Sequence, residues 1–496
     1  MKNKVTLLNI LSAFLLQFCM VISGFIIPKI ILVYFGSAVN GLVSSINQFL
    51  SYITLVEGGI TGVIIANLYE PLVKGDCDKI SSVMVTAKKF YEKIGMIFIG
   101  YTLILALVYP LIFRSEFSYA YVFFLIIILS IGLIIQYMFS ITLKSLLSAD
   151  KKNYIINLSQ IAIVILNIIL SCITIKIYPN IHILKFINCI LYVIQPIIYR
   201  HYIDNKYKVD WNSKADNNLL TERWNGFAIN LAAFIHNSTD IVILTIFTDL
   251  KTVSIYSVYT LVTSGLKGVI NAITTGINPT IGHAYAKKNN VELNRKLDLY
   301  EYIVFLLVFY SFTLAALLTT SFVMLYTKGI TDTNYYQPLF CLLIIISEAL
   351  YLIKYPHLNL AYSANKFKEI KMPAYLEAII NIVLSILLVF KFKLIGVVLG
   401  TIIAMIYRMI FHVYYTTKII HNRKQIIFYK KFIMFLVTSI LGGSICCYFF
   451  PIVNNDIYEW ISHAIIYILF LGVFYCVLSF FMFKNEMKYI FMYLKK

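Results

Sequence analysis

Charge is what this chain has least of: 13% of its 496 residues are Asp, Glu, Lys or Arg, and only 23 are acidic. A soluble domain carries about 25%, so a soluble enzyme or scaffold is excluded. Metal and disulfide patterns are missing too. The eight cysteines form no C-x-x-C, and seven of them (Cys19, Cys172, Cys189, Cys341, Cys446, Cys447, Cys476) sit in apolar runs, where they read as buried free thiols. Cys446–Cys447 alone cannot close a metal site, and the eight histidines show no H-E-x-x-H or other zinc spacing. No metal and no organic cofactor is expected. Long polar segments are lacking as well. The longest connection, "HYIDNKYKVDWNSKADNNLLTER" at 201–223, leaves no room for a soluble catalytic domain, so the chain does not read as an enzyme. The N-terminal "MKNKVTLLNILSAFLLQFCMVISGF" has a basic start, but its apolar run is too long for a signal peptide and lacks a small-residue cleavage site. It reads as the first permanent span.

What is abundant is apolar length. The chain is 60% hydrophobic with a mean hydropathy of +0.82, and runs of about twenty apolar residues recur from end to end, the mark of membrane helices. An all-α polytopic membrane protein follows, with about fourteen helices at roughly 6–33, 39–68, 90–113, 119–147, 154–175, 182–200, 222–248, 252–284, 298–326, 336–361, 372–390, 394–416, 430–450 and 459–483. Alternating the connections between two sides places 30 Lys and Arg residues on one side and eight on the other. By the positive-inside rule both termini are cytoplasmic. The net charge of +19 is then topology and contact with anionic membrane lipid, not a nucleic-acid surface.

Shifted by about 214 residues, the sequence matches itself. "GLVSSINQFLSY" (41–52) falls on "IYSVYTLVTSGL" (255–266), Thr61-Gly62 on Thr275-Gly276, and Glu57 on Asn271. At an offset of 215, "SADK" (148–151) meets "SANK" (363–366), and "NIILS" (167–171) follows one copy as "NIVLS" (381–385) follows the other. Two six-helix halves of one orientation are expected: 1–205 and 222–420, joined by a cytoplasmic linker at 206–221. An appended pair, predicted helices 13 and 14, and a tail occupy 421–496. Parallel repeats of this kind are a transporter architecture with the substrate site between the halves.

Polar stripes interrupt the apolar helices. Ser257, Thr260, Ser264, Lys267, Asn271, Thr274 and Asn278 alternate at spacings of three and four, which puts them on one face of predicted helix 8. Ser44, Asn47, Ser51, Thr54, Gly58 and Thr61 do the same on helix 2, with Glu57 beside them. Small polar residues also serve as helix–helix glue, but a mid-helix lysine is too deep to snorkel and calls for water or a partner. Asp240 follows His236 by one turn on helix 7. Glu348 and Lys354 straddle a break at Pro356-His357, Glu377 lies in helix 11 and Arg408 in helix 12. For Lys144, Lys354 and Arg408, each within a few turns of a cytoplasmic end, snorkelling and ligand binding both stand.

The stretch "YFGSAVNGLVSSINQFLSYITLVEGGITG" (34–62), followed by "LYEPLVKGDCDKISSVMVTAKKFYEKIG" (68–95), resembles Wzx-type polysaccharide biosynthesis flippases of the multidrug/oligosaccharidyl-lipid/polysaccharide exporter superfamily. The likeness is strongest over residues 20–150 and extends through the 6+6+2 layout to the whole chain. It implies a MATE-like fold and a flippase in the bacterial inner membrane. The implied substrate is an undecaprenyl-diphosphate-linked oligosaccharide, with polysaccharide polymerase and glycosyltransferases as partners. The family's cavity helices correspond here to Gln17, Glu57, His236, Asp240, Lys267 and Asn271. Peptidoglycan-precursor flippases of the family carry several arginines in helices 1, 2 and 8; this chain has none there, only Lys29 and Lys267. Lys267, Asn271, Ser264, Lys354 and Arg408 are the substrate-binding candidates. Glu57, Asp240 and His236 are the candidates for coupling to H⁺ or Na⁺. A multidrug exporter of the same superfamily and a polytopic polymerase or glycosyltransferase are the alternatives.

Overall fold

The structure, a computed structural model, describes residues 2–57, 59–113, 115–216, 227–420, 423–452, 456–484 and 486–487. Gly58 of the helix 2 stripe, Arg114, most of the start expected for helix 7 and the end of the linker at 217–221 lie outside these residues. Among the described residues, eleven helical stretches are long and apolar enough to cross a membrane, and one shorter apolar helix covers Ala233–Phe247. The chain is a multi-pass membrane protein. Large side chains such as Phe14, Val73, Ile177 and Tyr448 point outward unburied, as helices facing hydrocarbon require.

The chain divides into two compact units, Met1–Asn230 and Leu231–Lys496. Unit 1 contains α1 (Lys2–Leu50), α2 (Ile53–Glu57), α3 (Ile60–Lys74) and α4 (Cys77–Val108). It continues with α5 (Tyr119–Ile135), a π-helical turn at Gln136–Ser140, α6 (Ile141–Ala149), α7 (Asn153–Ile177), α8 (Ile181–Ile190) and α9 (Ile194–Lys206). α1 lies against α7, where Tyr154 N donates to Asn9 Oδ1 at 2.8 Å and Asn157 Nδ2 to Ser12 Oγ at 3.0 Å. α1 is not one helix. Gly36, at φ 81°, breaks it where the sequence places the connection between predicted helices 1 and 2, in the left-handed region that glycine enters without a Cβ penalty. Predicted helix 2 is itself interrupted, first by a turn at Ser51–Tyr52 and again before Gly59, whose φ of 83° caps α3.

Unit 2 follows the same plan. It comprises α10 (Phe227–Phe247), α11 (Leu250–Ala286), α12 (Asn290–Tyr326), α13 (Pro338–Ile353), α14 (Tyr355–Ser363), α15 (Phe367–Ile419), α16 (Ile426–Phe449) and α17 (Ile457–Met482). α15 breaks at Lys393, φ 46° and ψ −121°, where the sequence separates predicted helices 11 and 12. The break expected at Pro356-His357 falls two residues earlier, at Lys354. There α14 restarts with proline near its first position, where its missing N–H costs nothing.

The repeat shows in the helix stops. At the end of α6, Asp150 N bonds Leu146 O, Lys151 N bonds Ser148 O and Lys152 N bonds Leu147 O. At the end of α14, Ala364 N bonds Leu360 O, Asn365 N bonds Tyr362 O and Lys366 N bonds Ala361 O. Lys151 (φ 59°) and Asn365 (φ 55°) take the same left-handed conformation. α16 and α17 pack on α12: Trp460 Nε1 donates to the Leu318 carbonyl at 3.2 Å and Tyr310 to that of Ile468 at 3.1 Å.

Candidate functional site

Many of the ionisable groups inside unit 2 meet in one network, apart from a separate cluster around Glu301. α11 presents Lys267 midway along its length, and Lys267 Nζ lies 2.9 Å from Glu348 Oε2 on α13 and 2.9 Å from Asn237 Oδ1 on α10. His236, one residue before Asn237, brings Nε2 to 3.5 Å from the same Glu348 oxygen. Its ring stacks on Tyr351 with centroids 4.1 Å apart and planes 4° from parallel. Tyr351 sits one turn after Glu348 and also meets the Lys267 ammonium at 5.2 Å and the Lys354 ammonium at 4.4 Å. Cations over an aromatic face are attracted by its quadrupole, so one ring joins two charge clusters.

The second cluster centres on Glu377. Lys354 Nζ lies 3.1 Å from Glu377 Oε1, and Arg408 Nε lies 3.1 Å from Oε2. Glu377 and Arg408 occupy the two arms of the α15 hairpin, which approach closely because of Gly396 and Gly400. A Cβ at Gly396 would run into the Leu388 carbonyl, and one at Gly400 into Ser385. That approach also lets Asn381 Nδ2 reach Thr401 Oγ1 at 2.9 Å. Thr401 in turn reaches Asp240 at 3.1 Å, and the Tyr256 hydroxyl donates to Asp240 Oδ2 at 2.9 Å.

The arithmetic of this network is balanced. Lys267 faces Glu348, Lys354 and Arg408 share Glu377, and Asp240, held by the Tyr256 and Thr401 hydroxyls, supplies the third carboxylate. Charges this deep must be matched, since an unpaired one costs several kcal/mol. Within that balance the members differ in access. The Lys267 and Glu348 side chains are 14% and 13% exposed, against 4% for Lys354 and 3% for Arg408. The Lys267–Glu348 end is therefore the less buried one, and the Glu377 end is closed.

Of the residues singled out in the sequence, the structure brings His236, Asp240, Lys267, Lys354 and Arg408 into this network. Ser264 is exposed on α11. Asn271 has a buried Oδ1 with no donor, while its carbonyl accepts from Thr274 and Thr275. The stripe's last member, Asn278, accepts from Tyr300 and Asn359, each at 2.7 Å. Sequence reading noted Glu348 and Glu377 as charges without giving them a role, and it passed over Asn237, Tyr256, Tyr351 and Thr401. One signal was present: Glu348 and Tyr351 are three apart and share a helix face.

Glu57 belongs to unit 1. It is the last residue of α2. Thr61 donates to Oε1 and the Tyr137 hydroxyl to Oε2 at 3.3 Å; Thr61 also shares a 2.6 Å bond with Tyr91. Among the described residues no lysine or arginine pairs with Glu57. Its partners among the described residues are hydroxyls.

No family model and no curated protein matches the sequence. Solved structures do match. Lipid II flippase MurJ in an inward closed conformation is similar with a TM-score of 0.69 at 15% identity, covering 97% of this chain and 100% of that one. An inward-facing multidrug resistance transporter of the MATE family, of the MOP superfamily, reaches 0.61 at 14% identity over 82% of this chain and 96% of its own. The MATE multidrug transporter DinF-BH reaches 0.60 at 16% identity over 85% and 97%. The all-α polytopic fold read from the sequence is therefore that of this group of transporters.

Proposed function

We propose that the chain is a flippase that turns a polyprenyl-diphosphate-linked oligosaccharide from the inner to the outer leaflet of a bacterial cell membrane. It works by alternating access coupled to H⁺ or Na⁺. The observation that carries this reading is the graded access within the unit 2 network. Lys267 is the least buried of its three cations, its side chain 14% exposed against 4% for Lys354 and 3% for Arg408, and its carboxylate partner Glu348 is 13% exposed. A diphosphate arriving at Lys267 displaces Glu348 from the ammonium, and Glu348 takes the lysine back when the substrate leaves. His236 and Asn237 hold the exchange in place. A lysine suits this role because it is a compact, mobile point charge. Asp240 and Glu57, both held by hydroxyl donors rather than fixed cations, are the groups free to take up the coupling ion. Glycosyltransferases and a polysaccharide polymerase are the partners that would supply and consume such a substrate. A multidrug exporter of cations fits less well, because its cargo favours a net-acidic cavity, whereas the carboxylates of this network are matched by lysine and arginine.

The test is outer-leaflet appearance of lipid-linked oligosaccharide in cells lacking their own flippase, at matched protein levels. Lys267→Met should lower apparent substrate affinity about ten- to a hundredfold, the scale of one lost charge-assisted contact. Lys267→Arg should recover part of it. Wild-type flipping by Lys267→Met would mean that the lysine serves only to neutralise Glu348.

A further inference from the structure

Unit 1 holds a cavity of about 750 Å³, not lined by Glu57, between α4, the π-turn, α6, α9 and the residues that follow α9. Its volume falls within the range of about 300–1,000 Å³ typical of small-molecule sites. The cavity is amphipathic along its length. Its polar mouth carries Lys88, Glu92, Arg200, His201 and Asp204, while Ile135, Met138, Phe139, Leu143 and Ile197 line the rest. Ile135 lies 14 residues before the end of α6 at Ala149, about 21 Å at 1.5 Å per residue, whereas Asp204 is two residues from the end of α9. The lining therefore runs from a lysine-rich helix end toward mid-membrane. Phe139 and Ile197, 56% and 62% exposed, leave its flank open to lipid.

The mouth is built, not incidental. The chain after α9 is pinned along α4: Asp210 N donates to Ser81 Oγ at 2.9 Å, Ser82 Oγ to the Lys214 carbonyl at 2.9 Å and Asp216 N to Thr86 Oγ1 at 2.8 Å. This strap sets Trp211 against the cavity, with the Arg200 guanidinium 4.5 Å and the Lys88 ammonium 5.7 Å from its ring centre. The Trp211 indole Nε1 is out of solvent and has no acceptor. Opposite, the π-turn widens the helix where Met138 and Phe139 enter the lining, a distortion that recurs at functional sites. Gly95 makes room for the turn, since a Cβ there would come within 2.7 Å of Met138 Cγ.

The charge pattern names the occupant. Lys88 and Glu92 lie 3.8 Å apart, Arg200 and Asp204 2.7 Å apart, so the mouth offers two cations and two carboxylates rather than a surplus of either. The aromatic face is already taken by the two cations, which leaves no cage for a quaternary ammonium. We infer that the cavity is a lateral binding site for a zwitterionic aminophospholipid of the adjoining leaflet. The lipid phosphate meets Lys88 and Arg200, its primary ammonium donates to Glu92 and Asp204, and one acyl chain lies along Ile135, Leu143 and Ile197.

The sequence has three tryptophans, Trp211, Trp224 and Trp460, so replacing the last two by Phe leaves Trp211 as the only indole emitter. The full-length protein is reconstituted in phosphatidylcholine vesicles containing a small share of chain-brominated phosphatidylethanolamine, phosphatidylglycerol or phosphatidylcholine. Brominated phosphatidylethanolamine should quench Trp211 about fivefold more than its mole share predicts, the preference that one interfacial charge contact confers. The other two should quench at their mole share. The Glu92→Gln/Asp204→Asn variant should transfer the preference to phosphatidylglycerol, a readout that a misfolded protein would not give. Equal quenching by all three lipids, or a preference for phosphatidylglycerol in the protein with its native mouth, overturns the proposal. So does full relief of quenching by soluble phosphoethanolamine, which would make the ligand a free headgroup.

Discussion

Carboxylates in this chain occupy two kinds of environment, and each predicts a different response to neutralisation. Glu377 is wedged between Lys354 and Arg408. Glu377→Gln leaves two buried cations facing one amide, and breaking such a set costs about 3–5 kcal/mol. The expected result is a lower unfolding temperature in detergent and poor yield. Among the described residues Glu57 accepts from hydroxyls, and an amide oxygen can still accept there. Glu57→Gln should therefore keep wild-type stability and insertion while separating transport from the ion gradient. Thermal unfolding and gradient-driven flipping, measured on both variants, decide the matter. A destabilised Glu57→Gln protein, or one that transports normally on a gradient, returns Glu57 to helix packing.

At the scale of elements, local chemistry carried far and long-range pairing did not. "SADK" and "SANK" are legible in the sequence as a repeated motif, and the structure makes them helix stops, since a left-handed helix end needs a short-range hydrogen-bond pattern that neighbouring residues specify. The break at Gly36 was legible for the same reason. Which helices meet across a unit was not, because apolar faces of similar composition do not record their partners. Lys267 was singled out from the stripe on α11, yet its carboxylate lies 81 residues away on α13. Nothing in the local pattern of either helix names the other. The α15 hairpin was half legible: the Gly396-x-x-x-Gly400 spacing is a known signal for close helix approach. Its consequence, the meeting of Glu377 with Arg408, needed the register of both arms.

At the scale of the whole molecule, the two units share a plan but not a use of charge. Among the described residues, ion pairs with both side chains deeply buried lie in unit 2, around Glu377 and around Glu301, which Arg423, Lys431 and His357 surround. In unit 1 the described pairs are exposed or half-exposed, as in Lys74–Glu70 and Lys206–Asp150. The same lysine-rich ends fix the orientation we propose. Single cysteines placed at 79 or 208 in a background without other cysteines should react with an impermeant maleimide only after the membrane is opened. Labelling of either position in intact cells reverses the topology.

Lys267 and Glu348 also impose an order on how the protein is made. The 81 residues between them take roughly 4–16 s to synthesise at about 5–20 residues per second. For that interval α11 sits at the insertion machinery with an unneutralised ammonium near its centre, a burden of about 2.5–3.5 kcal/mol on insertion scales. α11 is also the least hydropathic of the eleven long spans. The helix therefore has to be retained by the translocon, or by α10 through Asn237, until α13 emerges. Ribosome-arrested chains ending before and after Glu348 make the wait measurable. α11 should remain crosslinkable to the translocon in the shorter chain and leave it in the longer one; release from both would show that the lysine needs no partner to enter the bilayer.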